Sequence, residues 1–215
     1  MSQEGGAPAP ETRWSRDHWE RVWAARAEDE VSWFQARPEL SFRLVAASGV
    51  EIDARLVDVG GGASRFSDLL LEAGFHHVTV LDISAAALER ARQRLGPRAS
   101  AVTWVAADVT SWRPDGLFDL WHDRAVFHFM TRPEEQEAYL DTLQRALRPG
   151  GQAILATFSA AGPERCSGLP VARYEPDWLA RRLGPRFRLL ESDREDHRTP
   201  GGKVQRFQYS RFVRG

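Results

Sequence analysis

From Arg55 onward, apolar residues fall into short continuous runs separated by stretches with a helical period. The runs over 55–59, 78–82, 102–106, 118–122 and 152–158 read as buried strands. The amphipathic stretches over 64–73, 84–95 and 133–147 read as helices between them. Repeated strand–helix units predict an α/β architecture, a parallel sheet covered on both faces. After Phe158 the rhythm changes. A Gly/Pro-rich loop over 160–171 leads to a short helix near 176–183. Two strand-like runs follow, over 186–194 and 203–213, joined by a polar segment that ends in Thr199-Pro-Gly-Gly202. Such a connection predicts an antiparallel pairing at one edge of the sheet.

The first fifty residues follow a different pattern. Residues 1–12 are rich in Gly, Pro and Ala and read as a disordered tail. Ser15 then caps a helix that carries Trp19, Val22 and Trp23 at helical spacing. Val31-Ser-Trp-Phe-Gln35 is too short and too aromatic for a helix, and Pro38 opens a second helix through Leu40, Phe42, Leu44 and Val45. Residues 13–50 therefore form an aromatic arm ahead of the first core strand, and residues 51–215 form the domain that it belongs to. Tryptophans in such an arm either pack a core or cover a site.

Composition narrows the picture. The chain has 215 residues, 42% of them hydrophobic, enough for one domain with a sizeable core. A formal net charge of −1 favours neither nucleic acid nor an anionic membrane. No apolar run reaches the length of a membrane span, and the first residues lack the plan of a secretory signal. One cysteine, Cys166, rules out an internal disulfide and a cysteine-cluster metal site. These features predict a cytoplasmic protein; a monomer or weak homodimer without a metal is the expectation.

Candidate chemistry begins where the first strand breaks into Gly60-Gly-Gly62. Glycines at a strand-to-helix turn let the backbone turn sharply and approach a ligand closely. The second strand ends in Asp82, followed by Ile83, about twenty residues further on, where an acidic side chain can bond both hydroxyls of a ribose. Turn and acid suit either a dinucleotide or an adenosyl ligand. Three features favour the adenosyl ligand. Asp58 at the end of the first strand can face an ammonium group. Arg65 occupies the place of the third glycine of a dinucleotide fingerprint. Asp108 and Val109 stand at the tip of the third strand, where an acid can accept from an adenine amino group and an apolar side chain can lie on the ring. Asp108 also suits a helix or turn cap.

Asp58-Val-Gly-Gly-Gly, Leu81-Asp-Ile-Ser84, Ala107-Asp-Val and Phe118-Asp-Leu-Trp-His-Asp123 resemble the successive motifs of class I S-adenosylmethionine-dependent methyltransferases. The resemblance spans about residues 18–213. It implies a Rossmann-like, seven-stranded, mostly parallel sheet with one antiparallel edge strand. It also implies S-adenosyl-L-methionine as cofactor. A narrower likeness is to thiopurine methyltransferase and its bacterial relatives. It rests on Trp19-x-x-x-Trp23 with Trp33-Phe-Gln35, on His122-Asp-Arg-Ala125, and on Ala161-Gly-Pro ahead of Leu169-Pro-Val171. In that family the early aromatic segment closes over the cofactor, and the Asp-Arg pair lies near cofactor and substrate. The resemblance thus makes Trp19, Trp23 and Trp33 lid residues. His122 and Glu164-Arg-Cys166 fall outside the thiopurine pattern.

The polar candidates around a methyl acceptor are His122, Asp123, Arg124, His128, His197 and Cys166. His128, in an apolar run, is either a core group or a base with a useful pKa. His197 lies in a charged loop and reads as solvent-facing. Arg124 either holds an anionic substrate or pairs with a carboxylate. Cys166 reads as a packing thiol. Arg90-Ala-Arg-Gln-Arg94 reads as a solvated helix face. The leading function is direct in-line methyl transfer to a small nucleophile, a thiol or related soft atom. Protein lysine N-methylation and cofactor binding without transfer are the alternatives.

Overall fold

A computed structural model describes residues 13–215. The tail expected over 1–12 lies outside them. The chain runs α1 (Arg16–Ala25), α2 (Glu39–Ser48), β1 (Arg55–Val59), α3 (Phe66–Glu72), β2 (His77–Asp82), α4 (Ala85–Leu95), β3 (Val102–Ala106), β4 (Phe118–Arg124), α5 (Pro133–Ala146) and β5 (Leu147–Phe158). A two-residue hairpin follows, β6 (Arg165–Cys166) and β7 (Leu169–Pro170), then α6 (Pro176–Leu183), β8 (Phe187–Arg198) and β9 (Val204–Arg214). Local chemistry sets the helix starts. Ser15 Oγ accepts from His18 N at 3.1 Å, and Ser84 Oγ accepts from Ala87 N at 3.1 Å, each satisfying an orphan N–H. Gly49, at φ 69°, ends α2 in the left-handed conformation.

The main sheet has seven strands in the order β3-β2-β1-β4-β5-β9-β8. β1 to β5 are parallel, and β9 runs antiparallel to both β5 and β8. The antiparallel pair thus lies at one edge as expected, and the single reversed strand is β9, one place in from that edge. β8 is longer than its apolar run. Glu195, Asp196, His197 and Arg198 were expected in the connecting segment, yet they pair with Phe207, Arg206, Gln205 and Val204. Backbone pairing with β9, rather than hydrophobic alternation, carries these polar residues into the strand. Helix α3 is shorter than expected, starting at Phe66, because the turn that follows Gly62 runs on to Arg65.

The strand period of two sorts side chains between two cores. Leu56 of β1 and Leu120 of β4 join Leu44, Phe66 and Leu70 on the face covered by α2 and α3. Val57 and Val59 of β1 and Trp121 of β4 join Tyr139, Leu143 and Phe212 on the face covered by α5. Full burial of each such side chain contributes about 1.5–3 kcal/mol. The same alternation puts Asp58 and His122 on the first face, and the β1–β4 register sets them side by side. The arm lies against the rest of the fold. Trp23 and Val31 are buried with Ala63 and Ala87, and Glu20 Oε1 accepts from Ala85 N at the start of α4 (2.8 Å). Among the described residues, no helix is long and apolar enough to cross a membrane.

Candidate active site

Chain direction across the sheet reverses between β1 and β4, and ligands of open α/β sheets bind at the carboxyl ends of strands beside such a switch point. The glycine turn stands there. Gly60 and Gly62 have φ of 67° and 41°, in the region that side chains with a Cβ avoid. A Cβ on Gly60 would drive into the Val126 side chain, one on Gly61 into the Asp58 carboxylate, and one on Gly62 would lie 2.7 Å from Asp82 Oδ2. All three glycines are therefore needed to seat the turn between the ends of β1, β2 and β4.

A cavity of about 780 Å³ opens beside this turn. Gly60, Leu81, Asp82, Ile83, Asp108 and Val109 line it together with Trp14, Trp19, Trp23, Trp33 and Phe129. The aromatic rings meet edge to face, Trp19 with Trp33 at 5.7 Å, Trp23 with Trp33 at 6.0 Å and Trp19 with Phe129 at 5.1 Å between centroids. Asp82 accepts from Ser84 N at 2.8 Å. Burial pushes its carboxyl up to about 7, the Ser84 N–H opposes the shift, and the nearby carboxylates of Asp58 and Glu20 add to it. Asp108 Oδ1 accepts from both the N–H and the hydroxyl of Thr110, at 2.8 and 2.7 Å, so Asp108 lines the cavity and holds its own turn.

An adjoining cavity of about 570 Å³ shares Trp23, Trp33, Val59, Gly60 and Arg124 with the first. Glu28, Asp58, Gly61, Ser64 and His122 extend it. His122 Nδ1 donates to Asp58 Oδ1 at 2.7 Å, Ser41 Oγ lies 2.9 Å from Nε2, and the ring packs at a tilt against Phe66, 4.2 Å between centroids. Both ring nitrogens are thus engaged inside the protein.

Arg124 lines both cavities. Its Nε donates to Tyr209 Oη at 2.8 Å, Nη1 to the Trp33 carbonyl at 3.1 Å and Nη2 to Glu195 Oε2 at 3.5 Å, with the guanidinium 4.5 Å from the Phe207 ring centre. Glu195 also accepts from Gln35 Nε2 at 2.7 Å and from Tyr209 Oη at 3.0 Å. Cys166 lines the first cavity, and burial pushes its thiol up to about 12.

Asp123 and His128 do not line either cavity. Asp123 is fully buried and accepts from Val126 N (2.8 Å), Phe127 N (3.0 Å) and Tyr139 Oη (2.5 Å). Burial raises its carboxyl to about 6 despite these bonds. His128 is fully buried against Phe129 and Phe158, with no partner on either nitrogen, and burial lowers it to about 3. Two surface expectations are corrected. His197 is buried, its Nε2 donating to the Ser32 carbonyl at 2.8 Å, because β8 extends under the arm. Arg90 and Arg94 face the arm rather than solvent, because α1 packs on α4. Trp14, Glu28, Glu195 and Tyr209 carry no local motif. Only folding brings them to the site.

The residues present fit an adenosyl sulfonium. Acids stand at the tips of β2 and β3, backbone approaches at the glycine turn, and aromatic rings suited to a cation line the same cavity. This fold and cavity define the class I S-adenosylmethionine-dependent methyltransferases. A family model described as a methyltransferase domain matches residues 56–151. Thiocyanate methyltransferase 1 of Brassica oleracea is 31% identical over 188 residues, covering 86% of this chain and 72% of that protein. Thiocyanate methyltransferase 1 of Arabidopsis thaliana is 35% identical over 144 residues, covering 65% of this chain and 60% of that protein. The crystal structure of N-methyltransferase NodS from Bradyrhizobium japonicum WM9, in complex with S-adenosyl-L-homocysteine, superposes with a TM-score of 0.71 at 19% identity. It covers 92% of this chain and 99% of that chain, a likeness of fold. The chain belongs to the S-adenosylmethionine-dependent methyltransferase family that includes these thiocyanate methyltransferases, and its cofactor is S-adenosylmethionine.

Proposed function

We propose that this methyltransferase acts on a small, soft nucleophile that reaches the site already anionic, such as thiocyanate, hydrosulfide or a small thiolate. The observation that carries this reading is the makeup of the first cavity's wall, to which Arg124 belongs. It offers a buried cation, the rings of Trp14 and Phe129, Met130, and a thiol held protonated by burial. Among the described residues, the His128 and Asp123 side chains lie outside that wall, the two nitrogens of His122 are engaged by Asp58 and Ser41, and Glu195 is engaged by Arg124, Gln35 and Tyr209. An amine or alcohol needs a proton removed before or during transfer, whereas a soft anion does not. The names of the thiocyanate relatives point the same way.

Bound S-adenosylmethionine supplies an activated methyl group. The chain's own part is alignment and exclusion of water. Asp82 and Asp108 orient the nucleoside, and the turn Gly60–Gly62 receives the amino-acid end, with Asp58 held beneath it by His122. Ile83 and Val109 supply the apolar faces on the nucleoside side. Asp123 fixes the turn after β4 through the Val126 and Phe127 N–H groups, and so sets Arg124 at the acceptor side. The arm over 13–50 acts as a lid, with Trp19, Trp23 and Trp33 facing the sulfonium. The enzyme works in the cytoplasm as a monomer or weak dimer on a small molecule, a role consistent with its near-zero net charge.

The test is formation of S-adenosylhomocysteine with a panel of thiocyanate, hydrosulfide, iodide, a small thiol, a primary amine, a phenol and a lysine peptide. Turnover of the soft anions, with an Arg124→Gln variant losing about tenfold or more in kcat/KM for them, is expected. Turnover confined to the amine or the peptide would reject this acceptor class.

A further inference from the structure

Arg94, in the last turn of α4, points its guanidinium inward, with the side chain 17% exposed. Nη1 donates to Glu28 Oε2 and to the Ala63 carbonyl, both at 2.7 Å. Nη2 donates to the Ser64 carbonyl at 2.8 Å and to Asp68 Oδ2 at 2.7 Å, and Nε donates to Asp68 Oδ1 at 3.3 Å. Glu28 belongs to a short 3-10 turn of the arm, Glu28–Glu30, and its other oxygen accepts from Arg65 Nε at 2.8 Å. One turn earlier on α4, Arg90 sits over the Trp23 ring at 5.7 Å and bonds the Trp23 carbonyl.

We propose that Arg94 and Glu28 form a clasp that couples the glycine turn to closure of the arm, with Arg94 a positioning residue for cofactor binding. The inference rests on the reading of residues 13–50 as a lid. Ala63 and Ser64 directly follow Gly60–Gly62, so the guanidinium that holds their carbonyls holds the path of the turn. The same guanidinium holds Glu28, which lines the cavity beside Gly60 and Gly61. A planar guanidinium presents five N–H groups in a rigid fork, and here the acceptors on three chain segments occupy its nitrogens. A lysine ammonium, with three donors around a point charge, cannot reproduce that geometry. Opening of the arm withdraws Glu28 from two arginines at once and loosens the carbonyls behind the glycine turn. Cofactor binding at the turn and docking of the arm therefore favour one another.

The experiment uses full-length protein, the variants Glu28→Gln and Arg94→Lys, and S-adenosylhomocysteine as probe. Glu28→Gln keeps the size of the side chain and leaves the Arg94 bonds to the Ala63 and Ser64 carbonyls and to Asp68 in place, so it reports even if Arg94→Lys folds poorly. Loss of charge-assisted bonds should raise the dissociation constant about 5- to 20-fold in each variant. KM for S-adenosylmethionine should rise in proportion, while kcat at saturating cofactor stays within about twofold. Hydrogen exchange should show residues 16–35 losing most of the protection that the ligand confers on the unmodified protein. A residue that served only fold stability would lower the active fraction, hence kcat, and leave both constants unchanged. If the unmodified protein gains no protection in the arm, the lid reading falls and the coupling with it. If it gains protection that both variants retain, at unchanged affinity, the clasp alone is overturned.

Discussion

His122 places Nδ1 2.7 Å from Asp58 Oδ1, across the register that pairs the two residues on neighbouring parallel strands. Ser41 of α2 closes the other side of the ring. The motif carboxylate beneath the glycine turn is thus held by a strand neighbour and, through it, by the arm. His122→Phe fills similar space but leaves Asp58 buried without this partner. Leaving a buried acceptor without its donor costs about 1–3 kcal/mol, and more for a charged group. For a chain of this size each kcal/mol lowers the melting temperature by about 2–4 °C. Calorimetry should therefore show a fall on the order of 10 °C. Loss of kcat by a hundredfold in a variant that melts like the parent would instead mark His122 as a base at the reacting centre.

Asp82 and Asp123 make stability depend on pH in a defined direction. Both carboxyls ionise near 3.8 in the unfolded chain, and burial raises them to about 7 and about 6 in the fold. Between those values the folded state binds more protons than the unfolded state. Their contribution is therefore full below 3.8 and is lost as pH rises through 6 and 7. The cofactor-free protein should lose thermal stability between pH 5 and pH 8, about the span of these two titrations. Asp82→Asn should lose less of it.

The same carboxyl sets a signature of binding. On the proposed reading ribose hydroxyls donate to the ionised form of Asp82, and binding should then release a proton at about pH 6, below the folded pKa. Titration calorimetry of S-adenosylhomocysteine in two buffers of different ionisation enthalpy measures that proton. Asp82→Asn should abolish its release and weaken binding by about 10- to 100-fold. Equal proton release from both proteins would remove Asp82 from the ribose.

Gly60 faces Val126 across the switch point, with a positive φ. Gly60→Ala meets two separable penalties, a clash with the Val126 side chain and about 1–2 kcal/mol of left-handed strain. Adding Val126→Ala should relieve the first and leave the second. Denaturant unfolding of the two single variants and the double variant should show a favourable coupling of about 1 kcal/mol or more. Strict additivity would mean that the two residues do not touch.

His128 offers the cleanest separation of packing from chemistry. Its nitrogens have no partners, and burial, followed by the Arg124 charge, holds it near 3. Its folded pKa lies below the unfolded value of 6.5, so its contribution to stability is lost as pH falls from there. His128→Leu should raise the melting temperature, by about 2–4 °C per kcal/mol recovered, and more at pH 5 than at pH 8. Turnover should change less than about twofold, whereas loss of a general base costs a hundredfold or more.

Periodicity made most of the fold legible. The five parallel strands, the helices between them and the antiparallel pair follow from apolar spacing, because strand and helix each bury one repeating face. The glycine turn, Asp82, Asp108 and the tryptophans were legible for a related reason. Each is local chemistry attached to a strand tip or a helix stripe, and topology then brings strand tips together. The partners of those residues were not legible. Asp58 and His122 meet because β1 and β4 are neighbours although they are separated in the chain by two strands and two helices. Glu195 and His197 reach the arm because β8 pairs beyond its apolar run. Arg94 turns inward because α1 covers α4. Hydrophobic patterning encodes which face of an element is buried. Which charged group answers which is settled only when distant segments come within hydrogen-bonding distance, since a charge can be satisfied by water until folding removes it.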